Sequence, residues 1–160
     1  MWAVGILLLL AYGLSLLLGA PYLPTMKQQR EDALSLLNLK PGQVVVDLGS
    51  GDGSLLILAA QRGLIAVGYE INPFLWLVSW LRSRRWRHLV KIKFRSFWGT
   101  DLSIADGVFV FLITHRMGQL DKLLNSRGSK KPLKVVSHAF EIPDKKLLKK
   151  RGALFLYIYK

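Results

Sequence analysis

Val44-Val45-Val46-Asp47-Leu48-Gly49-Ser50-Gly51-Asp52-Gly53 runs from β-branched residues into three alternate glycines. A continuous β-branched run reads as a buried strand. Glycines directly after it make a tight turn where backbone can approach a ligand closely. Two nucleotide-binding patterns compete for such a turn. A dinucleotide fingerprint, G-x-G-x-x-G, started at Gly49 and Gly51 needs its third glycine at position 54, which is Ser54. The phosphate loop G-x-x-x-x-G-K-[ST] is absent. What remains is D-x-G-x-G-x-G followed by a carboxylate, Glu70, 17 residues past Gly53. An acid at a strand end can accept hydrogen bonds from both hydroxyls of a ribose. Asp47 can hold the turn or receive a ligand ammonium through water. No cluster of cations waits for phosphate here, which suits a nucleoside without phosphate.

Outward from the turn, strands and helices alternate. Lys27–Asn38 reads as a helix, then strand Val44–Leu48, helix Leu55–Arg62 and strand Ile65–Glu70. Asn72-Pro73 opens a helix through about Arg85, followed by strands Val90–Phe94 and Val108–Ile113. Arg116–Asn125 reads as a helix, with strands Leu133–His138 and Ala153–Tyr159 completing the chain. Lys145–Lys150 must serve as both connection and sixth strand. This alternation predicts an α/β fold with a doubly wound, mostly parallel sheet.

The chain has 160 residues, 51% of them hydrophobic, so one domain can bury a sizeable core. Cysteine is absent, which excludes disulfides, a cysteine nucleophile and Cys-ligated metal. The three histidines, His88, His115 and His138, lack metal-ligand spacing, and no metal is expected. Twenty-three Lys and Arg against 10 Asp and Glu give a net charge of +13. That balance favours anionic partners: nucleic acid, anionic lipid or acidic protein.

Met1–Ala20 carries no charge, and leucines cover every face of a helix drawn through it. Twenty helical residues reach about 30 Å, the thickness of a bilayer core. The segment is therefore expected to be a single-span anchor. A cleaved signal peptide would want a basic start and a shorter apolar run; a buried helix is the other alternative. Lys27 and Arg30 follow the span, which places the domain on the cytoplasmic side. The expected division is an anchor over 1–20, a linker or lid over 21–26 and a domain over 27–160.

The glycine turn with Glu70 resembles the S-adenosylmethionine site of the seven-strand (class I) methyltransferases, whose sheet is Rossmann-like. Further segments narrow this. Pro21-Tyr22-Leu23-Pro24-Thr25, Val67–Pro73, Phe97-Trp98, Asp101-Leu102-Ser103, the strand Val108–Leu112 with Thr114 beyond it, and Val135–Ile142 together resemble the small protein-lysine methyltransferases. These comprise archaeal broad-specificity enzymes and membrane-anchored mitochondrial relatives acting on ATP synthase c-subunit or adenine nucleotide translocase. The resemblance covers residues 21–160. It implies S-adenosylmethionine as cofactor and a protein bearing an accessible lysine as partner. It assigns cofactor binding to Asp47, Gly49, Ser50, Gly51, Asp52, Gly53, Glu70, Ile71, Asn72, Ser96, Phe97 and Trp98. Ser96 stands where the family carries Asn, and His115 where Asn or a small residue is expected.

Methyl transfer from sulfonium to amine is an in-line displacement, so donor and acceptor must be held at near-attack distance with water excluded. A lysine acceptor, with a pKa of about 10.4, must first lose its proton. Desolvation and the sulfonium charge both favour that loss, so a general base helps without being obligatory. Polar groups for the acceptor side are expected from the linker and the ends of the fourth and fifth strands: Tyr22, Thr25, Thr114, His115 and Ser137. His138 reads as structural.

Ile71–Thr100 contains no Asp or Glu, while Arg82, Arg84, Arg85, Arg87, Lys91, Lys93 and Arg95 crowd fourteen positions. Aromatic residues precede them, from Phe74 to Trp80. Beside an anchor, an anionic lipid surface is the simpler partner; RNA and a plain solvated face are the alternatives. Two further functions stay open: methyl transfer to a lipid-soluble small molecule, and cofactor binding without catalysis.

Overall fold

The computed structural model describes residues 26–129 and 131–160. The anchor expected over 1–20, and Tyr22 and Thr25 in the linker, lie outside the described residues. Among the described residues no helix is long and apolar enough to cross a membrane.

Helix α1 (Lys27–Leu37) leads into β1 (Val44–Leu48), α2 (Ser54–Gln61), β2 (Ile65–Glu70), α3 (Pro73–Arg82), β3 (Val90–Phe94) and β4 (Gly107–Phe111). Helix α4 (Met117–Asn125), β5 (Leu133–His138), β6 (Lys149–Arg151) and β7 (Leu154–Tyr159) follow. The seven strands form one sheet in the order β3-β2-β1-β4-β5-β7-β6. Pairs among β1 to β5 are parallel; β7 runs antiparallel to both β5 and β6. The sheet is therefore a seven-strand, Rossmann-like, mixed sheet.

Alternation along each strand sends side chains to two separate cores. Val46, Leu48, Val108 and Val110 pack with Met117, Leu120 and Leu124 of α4 on one face. Val45, Ala66, Phe109 and Val136 pack with α1 and α2 on the other. The sheet is thus covered on both sides, as continuous apolar strands require.

Several boundaries differ from expectation. Helix α3 stops at Arg82, and Ser83–Trp86 tightens into a 3-10 turn rather than continuing the helix to Arg85. Strand β4 ends at Phe111 instead of Ile113, because its partner β1 has already turned away at Gly49. Strand β6 is three exposed cationic residues that pair with β7 across a turn at Gly152.

The chain leaves β1 for β2 and β3 on one side, then crosses to β4 and β5 on the other. The carboxyl end of β1 is therefore the switch point, where open α/β sheets bind ligands.

Candidate functional site

Gly49 adopts φ +97°, is exposed, and has nothing within 4 Å of where a Cβ would stand. It forms the open lip of the turn. The N–H groups of Gly49 and Ser50 both donate to the Tyr69 carbonyl, at 3.0 and 2.9 Å, tying the turn to the end of β2. Gly53 begins α2 with φ +76°, and a Cβ there would lie 2.3 Å from Ser79 Oγ on α3. Only glycine lets the two helices approach so closely.

Glu70 is 8% exposed and joins the two loops above β1 and β2. Its Oε2 accepts from Gly51 N at 2.8 Å. Its Oε1 accepts from Ile71 N at 2.9 Å and Asn72 N at 2.7 Å. A carboxylate offers about four acceptor positions, so one remains for a ligand hydroxyl. A second hydroxyl must share or displace a backbone donor.

Asp47 lies beneath the turn, 4% exposed. Among the described residues no hydrogen bond supports its carboxyl; burial raises its pKa to about 8, with the nearby charges of Glu70 and Asp52 adding to the rise. A buried carboxyl with no donor is poised for a cationic ligand group, whose charge would restore ionisation. Ser50 Oγ is likewise buried without a partner.

The shift has a definite sign for stability. An unfolded chain ionises Asp47 near the ordinary 3.8, the folded chain only near 8. Stability credited to the neutral carboxyl is complete below 3.8 and is lost as pH rises towards 8. Asp47→Asn cannot ionise. Its thermal midpoint should exceed the parent's at pH 8 and match it at pH 4, read by circular dichroism. Equal gains at both pH values would show that the carboxyl's charge is not the cause.

Several other expected residues have partners within the protein. Asp52 accepts from Ser54 N and Ser54 Oγ, and pairs with Arg82 at the end of α3. Burial alone would raise the Asp52 pKa; the bonds from Ser54 and Arg82 outweigh it and hold the group below the usual range. Asn72 caps α3, its Oδ1 accepting from Phe74 N and Leu75 N. Ile71 stands exposed beside it. Beyond β3, Ser96 Oγ accepts from Trp98 N, and the half-buried rings of Phe97 and Trp98 sit 4.6 Å apart. Thr100 Oγ1 and Lys93 Nζ hold this loop to the Tyr69 hydroxyl at 2.6 and 3.2 Å.

The other half of the site follows from register. Leu48 pairs with Val110, which in turn pairs with Ser137, one residue before the Phe111–His138 pair. With neighbouring strands about 4.8 Å apart, the backbone of Ser137 lies roughly 10 Å from that of Leu48, and His138 is the next residue of β5. Thr114 and His115 are exposed in a 3-10 turn just past β4. Ser137 is fully buried and donates from Oγ to the Phe140 carbonyl at 2.8 Å.

Sequence reasoning set His138 aside. The ring lies 4.6 Å from Phe111, 8% exposed, with Nδ1 buried and without a partner among the described residues. Desolvation lowers its pKa below the ordinary 6.5, so it stays neutral near pH 7. Ala139 follows at φ +70°, a conformation non-glycine residues rarely adopt. The sequence signal was only its position at a strand end. Among the described residues no three His, Asp or Glu side chains gather as metal ligands.

The geometry places an acidic, glycine-rich nucleoside-type cradle over β1 and β2 and a polar edge over β4 and β5. Known proteins resemble the chain in sequence and in fold. The chain is 36% identical over 128 residues to the ATP synthase c-subunit lysine N-methyltransferase of Xenopus laevis, covering 78% of this chain and 55% of that one. It is 31% identical over 126 residues to a protein-lysine N-methyltransferase of Saccharolobus islandicus, covering 76% and 78%. An RNA methyltransferase from Salinibacter ruber, solved with S-adenosyl-L-homocysteine, superposes with a TM-score of 0.76 at 26% identity, covering 86% and 92%. The chain spans about half the length of the first vertebrate relatives, 55% and 53%. Residues 47–149, which contain both halves of the site, match the model of the ANTKMT methyltransferase domain, and the chain belongs to that family.

Proposed function

We propose that this protein transfers methyl groups from S-adenosylmethionine to lysine side chains of a protein substrate. Residues 1–20 hold it to a membrane as a single span, with the domain on the cytoplasmic side. The observation that carries the cofactor assignment is Asp47, a buried carboxyl with no donor beneath an open glycine turn. When bound, S-adenosylmethionine supplies an electrophilic methyl on a sulfonium.

The chain's own residues divide the work. Asp47 faces the ammonium group and Glu70 a ribose hydroxyl, while Gly49, Ser50, Gly51 and Gly53 give close backbone approach. Phe97 and Trp98 offer flat apolar contact to the base. Asp52, Asn72 and Ser96 keep the surrounding loops in shape. On the acceptor side, Thr114, His115 and His138 are the polar groups at the ends of β4 and β5. Ser137 acts one step back by holding the Phe140 carbonyl. Tyr22 and Thr25 close the site as a lid between span and domain, keeping acceptor lysines near the bilayer surface.

Neutral His138 can take a proton from the lysine ammonium or hold the amine by one hydrogen bond. His138→Ala should slow single-turnover methylation about tenfold, the worth of one positioned bond, with cofactor affinity nearly unchanged. It should also remove the acid-side loss of rate expected where His138 protonates, at a pH that desolvation sets below the ordinary 6.5. An unchanged rate and pH profile would return His138 to a packing role.

The full chain, supplied with methyl-labelled S-adenosylmethionine and membrane extract, tests the function. Label in protein lysines, located by mass spectrometry, supports it. Label in lipid or RNA assigns another substrate class. Cofactor binding with no label in any fraction leaves a binding module.

A further inference from the structure

Helix α3 is unusual in burying little of itself. Of its ten residues, Pro73–Arg82, only Ser79 is buried. Phe74 is 54% exposed, and Leu77, Trp80 and Leu81 are each 45% exposed. Their spacing puts them along one stripe of the helix. The stripe continues onto the sheet edge, where Phe94 of β3 is 55% exposed with its ring 5.5 Å from Trp76. Soluble surfaces seldom leave so contiguous an apolar patch uncovered.

The rim of the patch is cationic. Leu81, Arg82, Arg84, Arg85 and Arg87 line a shallow basin of about 460 Å³. Arg82 is held by Asp52. Arg84, Arg85 and Arg87 are exposed and form no ion pair among the described residues; Arg87 lies over the Trp80 ring at 5.9 Å. No acid occurs between positions 71 and 100 to neutralise them.

We propose that this face docks on an anionic lipid surface, with Phe74, Leu77, Trp80 and Leu81 entering the interface and Arg84, Arg85 and Arg87 meeting lipid phosphates. Charge complementarity selects the partner: three guanidiniums with no ion pair among the described residues rim an apolar stripe, the arrangement of interfacial helices. Tryptophan and phenylalanine suit the headgroup boundary. Leu77 and Leu81 in the centre favour acyl chains over nucleobases, which would want stacked rings along the path. The docking requires no methyl transfer, so its test stands apart from that of the proposed activity.

The full chain is incorporated into brominated-lipid vesicles, either pure phosphatidylcholine or phosphatidylcholine with phosphatidylglycerol. On the proposed anchoring, which this test rests on, residues 1–20 hold the chain in both. Fluorescence quenching lost in Trp80→Phe reports how deeply the Trp80 ring sits. We expect at least about threefold stronger Trp80 quenching in the anionic vesicles. That excess should vanish in Arg84→Gln/Arg85→Gln/Arg87→Gln, whose circular dichroism and melting should match the parent. Leu77→Ser gives a second route by weakening the apolar stripe instead of the charge. Equal quenching in both bilayers, or none in either, would overturn the proposal. So would protection of Trp80 from a soluble quencher by an RNA oligonucleotide but not by anionic vesicles, which would make this an RNA-binding face.

Discussion

Glu70→Ala lowers S-adenosylmethionine affinity by about a hundredfold or more, read by calorimetry. Three backbone donors, Gly51 N, Ile71 N and Asn72 N, lose their acceptor at once. A hydrogen bond to a charged group contributes about 1.5–3 kcal/mol, and leaving the donor unpaired in a buried site forfeits a similar amount. Part of that loss falls on the fold and part on the ligand. The ligand loses one acceptor and also a turn held ready, since Gly51 is no longer tied to β2. Two such effects give about 3–4 kcal/mol, and each 1.4 kcal/mol is tenfold in affinity. Glu70→Gln separates them. It keeps size and one acceptor oxygen but turns an NH2 towards a backbone donor, so an intermediate loss of about tenfold is expected. If the Ala variant is folded by circular dichroism and binds like the parent, Glu70 is a loop staple alone.

Glu70 marks where sequence reading stopped. A carboxylate at the end of the second strand was legible by position. That it already accepts three backbone bonds was not, because the partners come from two loops brought together by the β1–β2 register. The seven parallel or antiparallel strands were mostly legible, since Val, Ile, Phe and Tyr runs are buried on both faces. Strand β6 carried no such signal: Lys149, Lys150 and Arg151 are all exposed. They form a strand because Gly152, at φ +56°, folds them back on β7, and Arg151 bonds Asp32 of α1 at 3.1 Å. Asn72 was read towards the ligand, and its side chain also caps α3; Asx caps and ligand contacts draw on the same residue types. The raised pKa of Asp47 and the lowered pKa of His138 arise chiefly from desolvation, which depends on what the fold lays over each group. The same holds for Asp106 at the opposite end of the sheet. Lys131, Val44 N and Gln43 hold it charged despite burial, and nothing in its neighbourhood in the chain names those partners.

Gly68→Ala is expected to unfold the protein about 6–12 °C sooner. Gly68 is the middle of β2, between Val67 and Tyr69, where glycine ordinarily weakens a strand. It is needed there because the turn after β1 folds back over it. A Cβ at 68 would stand 2.5 Å from Leu56 Cδ1, 2.6 Å from Ser50 Oγ and 2.7 Å from Ser50 Cβ. Leu56 and Ser50 are both buried, so neither can simply swing into solvent. Overpacking of this kind costs about 3 kcal/mol, and for a domain of this size each kcal/mol moves the midpoint by about 2–4 °C. The displaced residue is Ser50, so the strain reaches the cofactor turn and affinity should fall with stability. A cycle with Ser50→Gly tests the cause. That change removes two of the three clashing atoms and leaves Leu56 Cδ1, which has other rotamers. Gly68→Ala should then be milder in the Ser50→Gly background by more than about 1 kcal/mol, a coupling that only residues in contact show. Additive effects, or a Gly68→Ala chain that melts with the parent, would mean that the turn does not press on β2 and that its close approach to a ligand has some other origin.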